Sequence, residues 1–414
     1  MHNNASRPAS CRVCGSSRVR LCLQMDNVPP NISRILRPEE VEAGFDRPVS
    51  LEVYECQACG LVQLGRALES TFYDDYLMTV SHSPQMRAYQ KGQATDFVGR
   101  FALTGKRVIE VGCGDGTYLE YLHEAGARVV GMEPSAVFRR LAESRGMTVI
   151  PGYVAGLALI QGAPYEGFVT RQVLEHVQDP NDFLETIRVN LCATAAGIVE
   201  VPSMEQALEH DRFYDFFPDH MSYFSARTLR MVLERNGFDV VEVTRGMNGE
   251  FNVALVRASR PADARVAGGR KGGSDAAPVG SCSPGDFRRL QSAVNGVCLQ
   301  LRQLVEKSTA RGLRVAFWGA GGKGLTAMAV AKVKGISYVV DSDPHKQGGL
   351  TPVMHLPIVS PAHLRDDPVD VVIITALAYK DEILSQLRED IRFTGTVAVL
   401  GPSLEIVHEA RANE

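Results

Sequence analysis

Two cysteine pairs near the N-terminus have the spacing of a metal site. They are Cys11 with Cys14 and Cys56 with Cys59, and each C-x-x-C is followed at once by glycine. Two tight turns that each aim two thiolates at one point suit a tetrahedral zinc ion, and four thiolates leave that ion no open position for catalysis. We predict a structural zinc site. The alternatives are two unrelated thiol pairs or one redox pair, although a redox pair usually opens a helix of a βαβ unit.

A glycine-rich loop at residues 110–116 has the composition of a cofactor site. It has the sequence E-V-G-C-G-D-G and lies between a predicted strand and a predicted helix. Glycine lets the backbone approach a ligand closely, and a helix N-terminus favours electron-rich groups. Glu133 ends the next predicted strand, where a carboxylate can accept both hydroxyl groups of a ribose. The alternative is a tight turn beside a solvated glutamate.

The loop and the acid together resemble the class I S-adenosylmethionine-dependent methyltransferases. In that family the loop passes beside the methionine part of the cofactor, and the acid holds the ribose. A third segment, V-L-E-H-V at residues 173–177, is also similar to those enzymes and brings His176 to the carboxyl edge of the sheet. The resemblance implies these cofactor contacts: Glu110, Gly112, Gly114, Asp115, Gly116, Glu133, Pro134, Gln172 and Val173.

The elements that position these residues alternate between strand and helix patterns. Strands are predicted at 107–111, 128–132, 167–170, 197–201 and 239–244, which indicates a parallel α/β sheet covered by helices. A small, polar, glycine-rich stretch then interrupts the pattern. The predicted organisation is a zinc module (1–80), a methyltransferase domain (81–258), a linker (259–285) and a C-terminal Rossmann-like α/β domain (286–414).

A second glycine loop follows a predicted strand that begins at Arg314. Gly319, Gly321 and Gly324 match G-x-G-x-x-G, which taken alone would favour a nicotinamide cofactor. The motif by itself is a weak signal, and Lys323 at a helix N-terminus suits a diphosphate equally well. Three uses stay open: binding the nucleotide of a substrate, a structural remnant, or nicotinamide binding.

Composition excludes several classes of protein. The 414 residues are 45% hydrophobic and 22% charged, which is ordinary for globular domains with several cores. A net charge of −4 argues against nucleic acid or an anionic membrane as the main partner. No apolar stretch reaches the roughly 20 residues of a membrane span. Nine cysteines, five of them scattered, argue against a disulfide framework, so we expect a cytoplasmic protein. We also expect a monomer.

The stretch at residues 213–225 carries the most specific resemblance. It has the sequence F-Y-D-F-F-P-D-H-M-S-Y-F-S. Together with the three-domain order, the cysteine pairs, the glycine loop at 112–116, G-M-E-P-S at 131–135 and D-P-H-K-Q-G at 343–348, it resembles the sugar C-methyltransferase family of bacterial deoxysugar biosynthesis, as found in antibiotic pathways. The resemblance covers almost the whole chain. It implies methylation at C-3 of a nucleotide-linked 4-keto-6-deoxy sugar.

The resemblance also implies roles for individual side chains. His220 is the base, and Tyr76, His176 and Asp219 surround the keto sugar. A carbon beside a ketone becomes nucleophilic only after it loses a proton, and histidine is suited to accept one near neutral pH. The alternative is that Asp219 and His220 cap the helix predicted at 225–235. Substrate contacts are expected from Phe217, Tyr223, Gly319, Gly321 and Lys323.

The chain departs from the family pattern Tyr-x-Glu-His. Phe217 replaces the tyrosine and lacks its hydroxyl, Pro218 restricts the preceding residue, and Asp219 is one methylene shorter than glutamate. The groups that orient the sugar are therefore altered more than the base. One alternative is a C-, O- or N-methyltransferase for another natural-product small molecule. The other is an NAD(P)-dependent oxidoreductase that uses the second glycine loop.

Overall fold

Three β-sheets organise the chain. The computed structural model describes residues 8–32, 34–42, 44, 46–65, 84–259 and 284–408. Tyr76 and nearly all of the predicted linker lie outside the described residues. None of the helices within the described ranges is long and apolar enough to cross a membrane.

The first sheet combines the N-terminal segment with a strand from far along the chain. Its N-terminal elements are β1 (Val19–Val28), α1 (Pro38–Glu42), β2 (Val49–Cys56) and β3 (Val62–Leu64). All its pairings are antiparallel, in the order β1-β2-β3, and Ser222–Tyr223 pairs with β3 as the outermost strand. The segment that carries the predicted base is therefore held to the N-terminal sheet by backbone hydrogen bonds.

The second sheet has seven strands and is built from residues 84–259. Its elements are α2 (Pro84–Arg100), β4 (Arg107–Val111), α3 (Thr117–Glu124), β5 (Arg128–Glu133), α4 (Ala136–Ser144), β6 (Val149–Pro151), β7 (Tyr165–Arg171), α5 (Pro180–Val189), β8 (Leu191–Pro202), α6 (Met204–Glu209), β9 (Ser222–Tyr223, in the first sheet), α7 (Ala226–Arg235), β10 (Phe238–Gly246) and β11 (Phe251–Ala258). The order is β10-β11-β8-β7-β4-β5-β6, with β11 antiparallel to β8 and to β10 and the other pairs parallel.

This strand order creates a place where a ligand can bind. The chain runs from β4 to β5 on one side and reaches β7 on the other. Ligands of open α/β sheets bind in the crevice at such a switch point, outside the carboxyl ends of the strands. The loops that follow β4 and β7 therefore face one crevice, and these loops carry residues 112–116 and 172–177.

Local signals in the sequence account for where the helices begin. Ser135 caps α4, and Asp179 caps α5, whose first residue is Pro180. Ser225 and Thr228 form a capping box at the start of α7. Side chains of this type satisfy backbone N–H groups that the first helical turn leaves unpaired.

The third sheet has six strands. Its elements are α8 (Pro284–Ala310), β12 (Val315–Trp318), α9 (Gly322–Ala331), β13 (Ile336–Val340), β14 (Ile358–Val359), α10 (His363–Asp366), β15 (Val371–Ile374), α11 (Lys380–Ser385), a π-helical turn (Gln386–Ile391), β16 (Thr396–Leu400) and β17 (Leu404–His408). The order is β14-β13-β12-β15-β16-β17, and only β17 runs antiparallel to its neighbour. Its switch point lies between β12 and β15.

One apolar core joins the first and third sheets. It includes Leu23 and Val53 of the first sheet, Phe213, Leu290 of α8 and Phe317 of β12, all of them buried. The second sheet has its own core, which extends to Cys11 and Cys56. This packing fixes the two switch points relative to each other.

Candidate functional site

A cavity of about 1090 Å³ lies between the carboxyl edges of the second and third sheets. Glycines 112 and 114 and residues 171–179, without Leu174, line it from the second sheet. Residues 318–324, without Ala320, line it from the third sheet, and Ile32 reaches it from the N-terminal segment. Both switch points therefore open into the same space.

The first glycine loop is shaped by glycines in the left-handed region of backbone space. Gly112 has φ 75°, and a Cβ at that position would lie 2.3 Å from Cγ2 of Val173. Gly116 has φ 79°, and its Cβ would lie 2.7 Å from Cβ of Ala142. Only glycine satisfies both the conformation and the space. This is a cradle of bare backbone at the end of β4, as a closely approaching cofactor needs.

The acid at the end of β5 closes onto this loop. The carboxylate of Glu133 is buried and accepts hydrogen bonds from Gly114 N at 3.0 Å and from Ser135 N at 2.9 Å. Burial raises the pKa of this carboxyl group. Pro134 lines the cavity beside it, and Asp115 accepts from Thr117 N at 3.1 Å. The fold therefore brings Glu133, Pro134 and Asp115 together around the first glycine loop, where the cofactor is predicted to bind.

A buried polar cluster supports the loop from below. Glu110 is 2% exposed, and burial raises its pKa to about 8. Arg171 pairs with Glu200 at 2.7 Å and stands 4.3 Å over the ring of Tyr118, while the hydroxyl of Tyr89 donates to Glu200 at 2.6 Å. Arg171 and Glu200 were not expected in the site from the sequence. Charged residues within otherwise apolar strands are the signal that points to them.

The turn after β7 is held in an uncommon conformation. Gln172 has φ 55°, and its N–H donates to the backbone oxygen of Glu200 at 2.7 Å. A non-glycine residue in this region carries strain that the surrounding structure must hold, and such residues cluster at functional sites. The turn places Val173 against Gly112, so both switch-point loops are in direct contact.

Two histidines meet edge to face in the cavity. The ring centroids of His176 and His220 are 4.7 Å apart, with an interplanar angle of 79°. Nδ1 of His176 lies 2.9 Å from the backbone oxygen of Asp219 and 3.7 Å from its Oδ2. Burial lowers the pKa of both imidazoles, and nearby His176 and Lys323 lower that of His220 further. The lowered pKa favours the neutral form of both rings, which has a nitrogen lone pair that can accept a proton.

Aromatic rings fix His220 in place. The ring of Phe217 lies 4.0 Å from it and that of Tyr223 lies 5.9 Å from it, centroid to centroid. The hydroxyl of Tyr223 accepts from Phe217 N and donates to Phe217 O, both at 3.1 Å, so it holds the turn. The capping alternative is wrong, because Ser225 caps α7 with its own side chain.

Glu175 is a further acid of this site. It is 2% exposed, and neither carboxyl oxygen has a hydrogen-bond partner among the described residues. Burial raises its pKa well above the usual range. Its Oε1 lies 3.9 Å from Nε2 of His176. Glu175 belongs to the V-L-E-H-V segment, but that pattern does not reveal that its side chain points inwards.

The second glycine loop has the same plan as the first. Gly319 has φ 124°, and a Cβ on Gly324 would lie 2.4 Å from the backbone oxygen of Gly319. Asp341 at the end of β13 accepts from Ala320 N at 2.8 Å, as Glu133 does in the other sheet. Gly321 lines the cavity and precedes α9. The loop therefore has the construction of a nucleotide-binding turn.

Side chains of this chain already occupy part of the space beside the second loop. A Cβ on Gly322 would lie 2.2 Å from Cδ1 of Ile32 and 3.8 Å from the ring of Phe217. Ile32 was not expected in the site. No sequence signal points to it, because its position depends on how the N-terminal segment packs.

Lys323 does not stand alone in the cavity. Its Nζ lies 2.7 Å from Glu250 and 3.4 Å from Asp215. Arg212, which is 1% exposed, pairs with the same two carboxylates at 2.7 Å and 2.9 Å. An anionic substrate that engages Lys323 must therefore compete with two acids.

The four cysteines of the N-terminal pairs come together. Sγ of Cys11 lies 3.6 Å from that of Cys59, and Sγ of Cys14 lies 3.6 Å from that of Cys56. All four sulfur atoms lie within 4.8 Å of one another. Tetrahedral zinc with Zn–S bonds of about 2.3 Å spaces its sulfur ligands by about 3.8 Å. The cluster is compatible with zinc.

Comparisons with known proteins identify the class of enzyme. A methyltransferase domain model matches residues 86–243, and a model of the C-methyltransferase C-terminal domain matches residues 249–402. The chain is 28% identical to the C-methyltransferase NovU of Streptomyces niveus over 96% of both proteins. The chain is an S-adenosylmethionine-dependent methyltransferase. The matches support C-methylation as its activity, and the resemblance inferred from the motifs is confirmed.

Two further proteins are similar to part of this methyltransferase. A ubiquinone biosynthesis O-methyltransferase of Cupriavidus pinatubonensis is 29% identical over 36% of this chain and 66% of that protein. A magnesium protoporphyrin IX methyltransferase structure from Synechocystis is 18% identical, with a TM-score of 0.36 over 45% of this chain and 90% of that chain. The family-model match to residues 86–243, together with the strand order, confirms the predicted class I, Rossmann-like α/β fold, and the second sheet is mixed.

Proposed function

We propose that this methyltransferase transfers a methyl group to C-3 of a nucleotide-linked 4-keto-6-deoxy sugar, as in antibiotic biosynthesis. The observation that carries the proposal is the shared cavity, which holds two contacting histidines, one of them the buried His220, between two glycine loops. One loop suits the methyl donor, and the other suits the nucleotide of an extended acceptor. A cavity of about 1090 Å³ lies just above the usual range for ligand sites, which favours two ligands over one.

The cofactor residues named from the sequence are proposed to hold S-adenosylmethionine. The positive φ angles of Gly112, Gly114 and Gly116 and the tight contacts that a Cβ would make at Gly112 and Gly116 support this fit. When bound, the cofactor supplies the methyl group that a deprotonated carbon accepts. The chain itself must provide deprotonation and alignment.

His220 is proposed to remove the proton from the carbon beside the ketone. Its burial keeps the imidazole neutral, and Phe217 fixes the ring plane from 4.0 Å away. His176 is proposed as a polar group around the sugar, oriented by its hydrogen bond to Asp219. Tyr76, which lies outside the described residues, is proposed as another polar group around the sugar. Phe217 offers the acceptor sugar an apolar surface where the family pattern has a tyrosine hydroxyl. We therefore propose that the sugar makes no hydrogen bond to residue 217.

The second glycine loop is proposed to hold the nucleotide diphosphate of the acceptor. Gly319, Gly321 and Lys323 line the cavity at the N-terminal end of α9. A diphosphate there would draw Lys323 away from Glu250 and Asp215. Because Arg212 stays paired with both acids, the release of Lys323 does not leave them unpaired.

The four cysteines are proposed to hold a structural zinc ion. Backbone hydrogen bonds from Gly15 to Cys11 and from Gly60 to Cys56 close the two turns, and both glycines have positive φ. This arrangement leaves no ligand position for a substrate.

Hydrogen–deuterium exchange into candidate acceptors tests the proposal. The protein is incubated in deuterated water with S-adenosylhomocysteine and a panel of nucleotide-linked 4-keto-6-deoxy sugars, and the sugars are analysed by mass spectrometry and NMR. Exchange at C-3 that is present with wild-type protein and lost in His220→Asn supports the proposal. Exchange that persists in His220→Asn contradicts the base assignment, and no exchange with any keto sugar contradicts the substrate class.

A further inference from the structure

The acid of the V-L-E-H-V segment has no role in the reaction as proposed so far. Glu175 lies in a single 3₁₀ turn, Leu174–His176, close behind the strained Gln172 at the end of β7. It lines the cavity and is 2% exposed, and neither of its carboxyl oxygens has a hydrogen-bond partner within the described ranges. Buried polar atoms in such a state cost free energy unless a ligand satisfies them.

The surroundings of Glu175 favour its protonated form. Within the described ranges no lysine or arginine forms an ion pair with it, and Nε2 of His176 lies 3.9 Å from its Oε1. Burial raises the pKa of Glu175 well above its usual range, and the charges of Asp219 and Glu200 raise it further, whereas its own backbone N–H acts against them. Loss of the proton would leave a buried charge without a cationic partner, and the acid form donates a hydrogen bond.

Glu175 lies beside the proposed base. A carboxyl oxygen of Glu175 and a ring nitrogen of His220 are within 4.8 Å of each other, and both side chains line the cavity. Removal of the proton at C-3 moves negative charge onto the ketone oxygen, which is two bonds away from C-3. A base and a donor at this separation can each reach one end of such an H–C–C=O unit at hydrogen-bond distances of about 3 Å.

Other donors near His220 are already engaged. The hydroxyl of Tyr223 donates to the backbone oxygen of Phe217, and Phe217 itself offers no hydroxyl group. Nζ of Lys323 is paired with two carboxylates and is proposed to bind a diphosphate. The charge that develops on the ketone oxygen therefore needs another donor, and the acid form of Glu175 is suited to provide it.

We propose that Glu175 is a catalytic residue that donates a hydrogen bond from its acid O–H to the ketone oxygen of the acceptor. In this step the C-3–H bond breaks, and its proton passes to a ring nitrogen of His220. The electron pair of that bond forms the double bond between C-3 and C-4, and the π pair of the ketone moves to its oxygen. Glu175 keeps its proton and stabilises the new charge. This role rests on the proposed function and names the group that stabilises its intermediate.

Proton exchange at C-3 without methyl transfer tests this role. Wild type, Glu175→Gln and Glu175→Leu are incubated in deuterated water with S-adenosylhomocysteine and a nucleotide-linked 4-keto-6-deoxy sugar, and exchange rates are measured at saturating sugar. Removing one preorganised donor to an oxyanion costs about 100–1000-fold in rate, so Glu175→Leu should lose this much. Glu175→Gln keeps an N–H donor and should recover at least about 10-fold of the loss. Glu234→Gln, an exposed position on α7, is the matched control and should exchange as wild type does.

Two results overturn the role of Glu175 while the proposed function stands. One is the wild-type exchange rate in Glu175→Leu. The other is an equal loss in Glu175→Gln and Glu175→Leu, which shows that the reaction needs the carboxylate and not a donor. If wild type exchanges no keto sugar at all, the proposed function fails, and this role fails with it.

Measurements on the ligand-free protein separate this role from a structural one. Glu175→Leu replaces an unpartnered buried acid by an apolar side chain of similar size, so its Tm should equal or exceed that of wild type. The infrared spectrum of wild type at neutral pH should contain a carbonyl band of a protonated acid that the spectrum of Glu175→Gln lacks. Absence of this band overturns the proposal. The band decides the matter also where Glu175→Leu does not fold, and its presence then supports the proposal.

Discussion

Substituting Gly112 by alanine tests the packing of the two switch-point loops against each other. At φ 75° any residue with a Cβ costs about 1–2 kcal/mol. In addition, the new Cβ would lie 2.3 Å from Cγ2 of Val173, and overpacking of this kind costs about 1–3 kcal/mol more. We expect Gly112→Ala to lower stability by about 2–5 kcal/mol in total, on adding these two contributions.

Gly114 provides the matched control for this experiment. It also has positive φ, at 52°, but a Cβ there would meet nothing within 4 Å. Gly114→Ala should therefore lower the free energy of unfolding only by the conformational cost, about 1–2 kcal/mol. The assay is the unfolding transition of the ligand-free protein by heat, in which 1 kcal/mol corresponds to about 2–4 °C for a domain of this size.

Removing the opposing methyl groups should rescue the first variant. Val173→Ala deletes Cγ2 and so removes the close contact. The Tm of the double variant Gly112→Ala with Val173→Ala should therefore lie below that of Val173→Ala only by the conformational cost of alanine at residue 112. The reasoning is refuted if Gly112→Ala and Gly114→Ala lower the Tm equally. It is also refuted if the decreases in Tm caused by Gly112→Ala and by Val173→Ala simply add in the double variant.

Two further predictions concern the zinc cluster and the charged cluster between the sheets. Cys11→Ser should lose bound zinc by elemental analysis and lower the Tm, whereas Cys22→Ser should retain one zinc per chain; equal zinc in both variants contradicts the site. Burial raises the pKa of Glu250, but the charges of Lys323 and Arg212 outweigh it and lower the pKa below its usual value. A lowered carboxyl pKa stabilises the fold above the unfolded value of about 4.3 and loses that contribution as the pH falls below it. Glu250→Gln should therefore flatten the dependence of the Tm on pH in this acidic range, and an unchanged dependence would contradict the pairing.

The parts of the site that could be predicted are those defined by neighbouring residues. The glycines of the first loop act within one turn of chain, so their residue type reveals their geometry. The cysteine pairs are predictable for the same reason, because neighbouring residues form each C-x-x-C turn. Only the approach of the two turns to each other depends on distant parts of the chain. Expectations for strands and loops therefore agreed closely with the structure.

The parts that could not be predicted depend on packing between distant segments. Ile32 reaches the second glycine loop across nearly 300 residues of sequence, and Ser222–Tyr223 adds a strand to the N-terminal sheet. Lys323 looks free in its motif, yet it pairs with Glu250 from the other sheet. No local pattern encodes these contacts, since each depends on the core shared by the first and third sheets.

The transfer of a labelled methyl group tests the central claim most directly. Protein, S-adenosylmethionine with a ¹³C-methyl group and a nucleoside-diphosphate-linked 4-keto-6-deoxy sugar are incubated, and the product is analysed by carbon-correlated NMR. The account predicts a ¹³C-methyl group bonded to C-3, with transfer lost in His220→Asn and retained in the surface variant Glu234→Gln. A label bonded to oxygen or nitrogen, or the same transfer in His220→Asn, would contradict it.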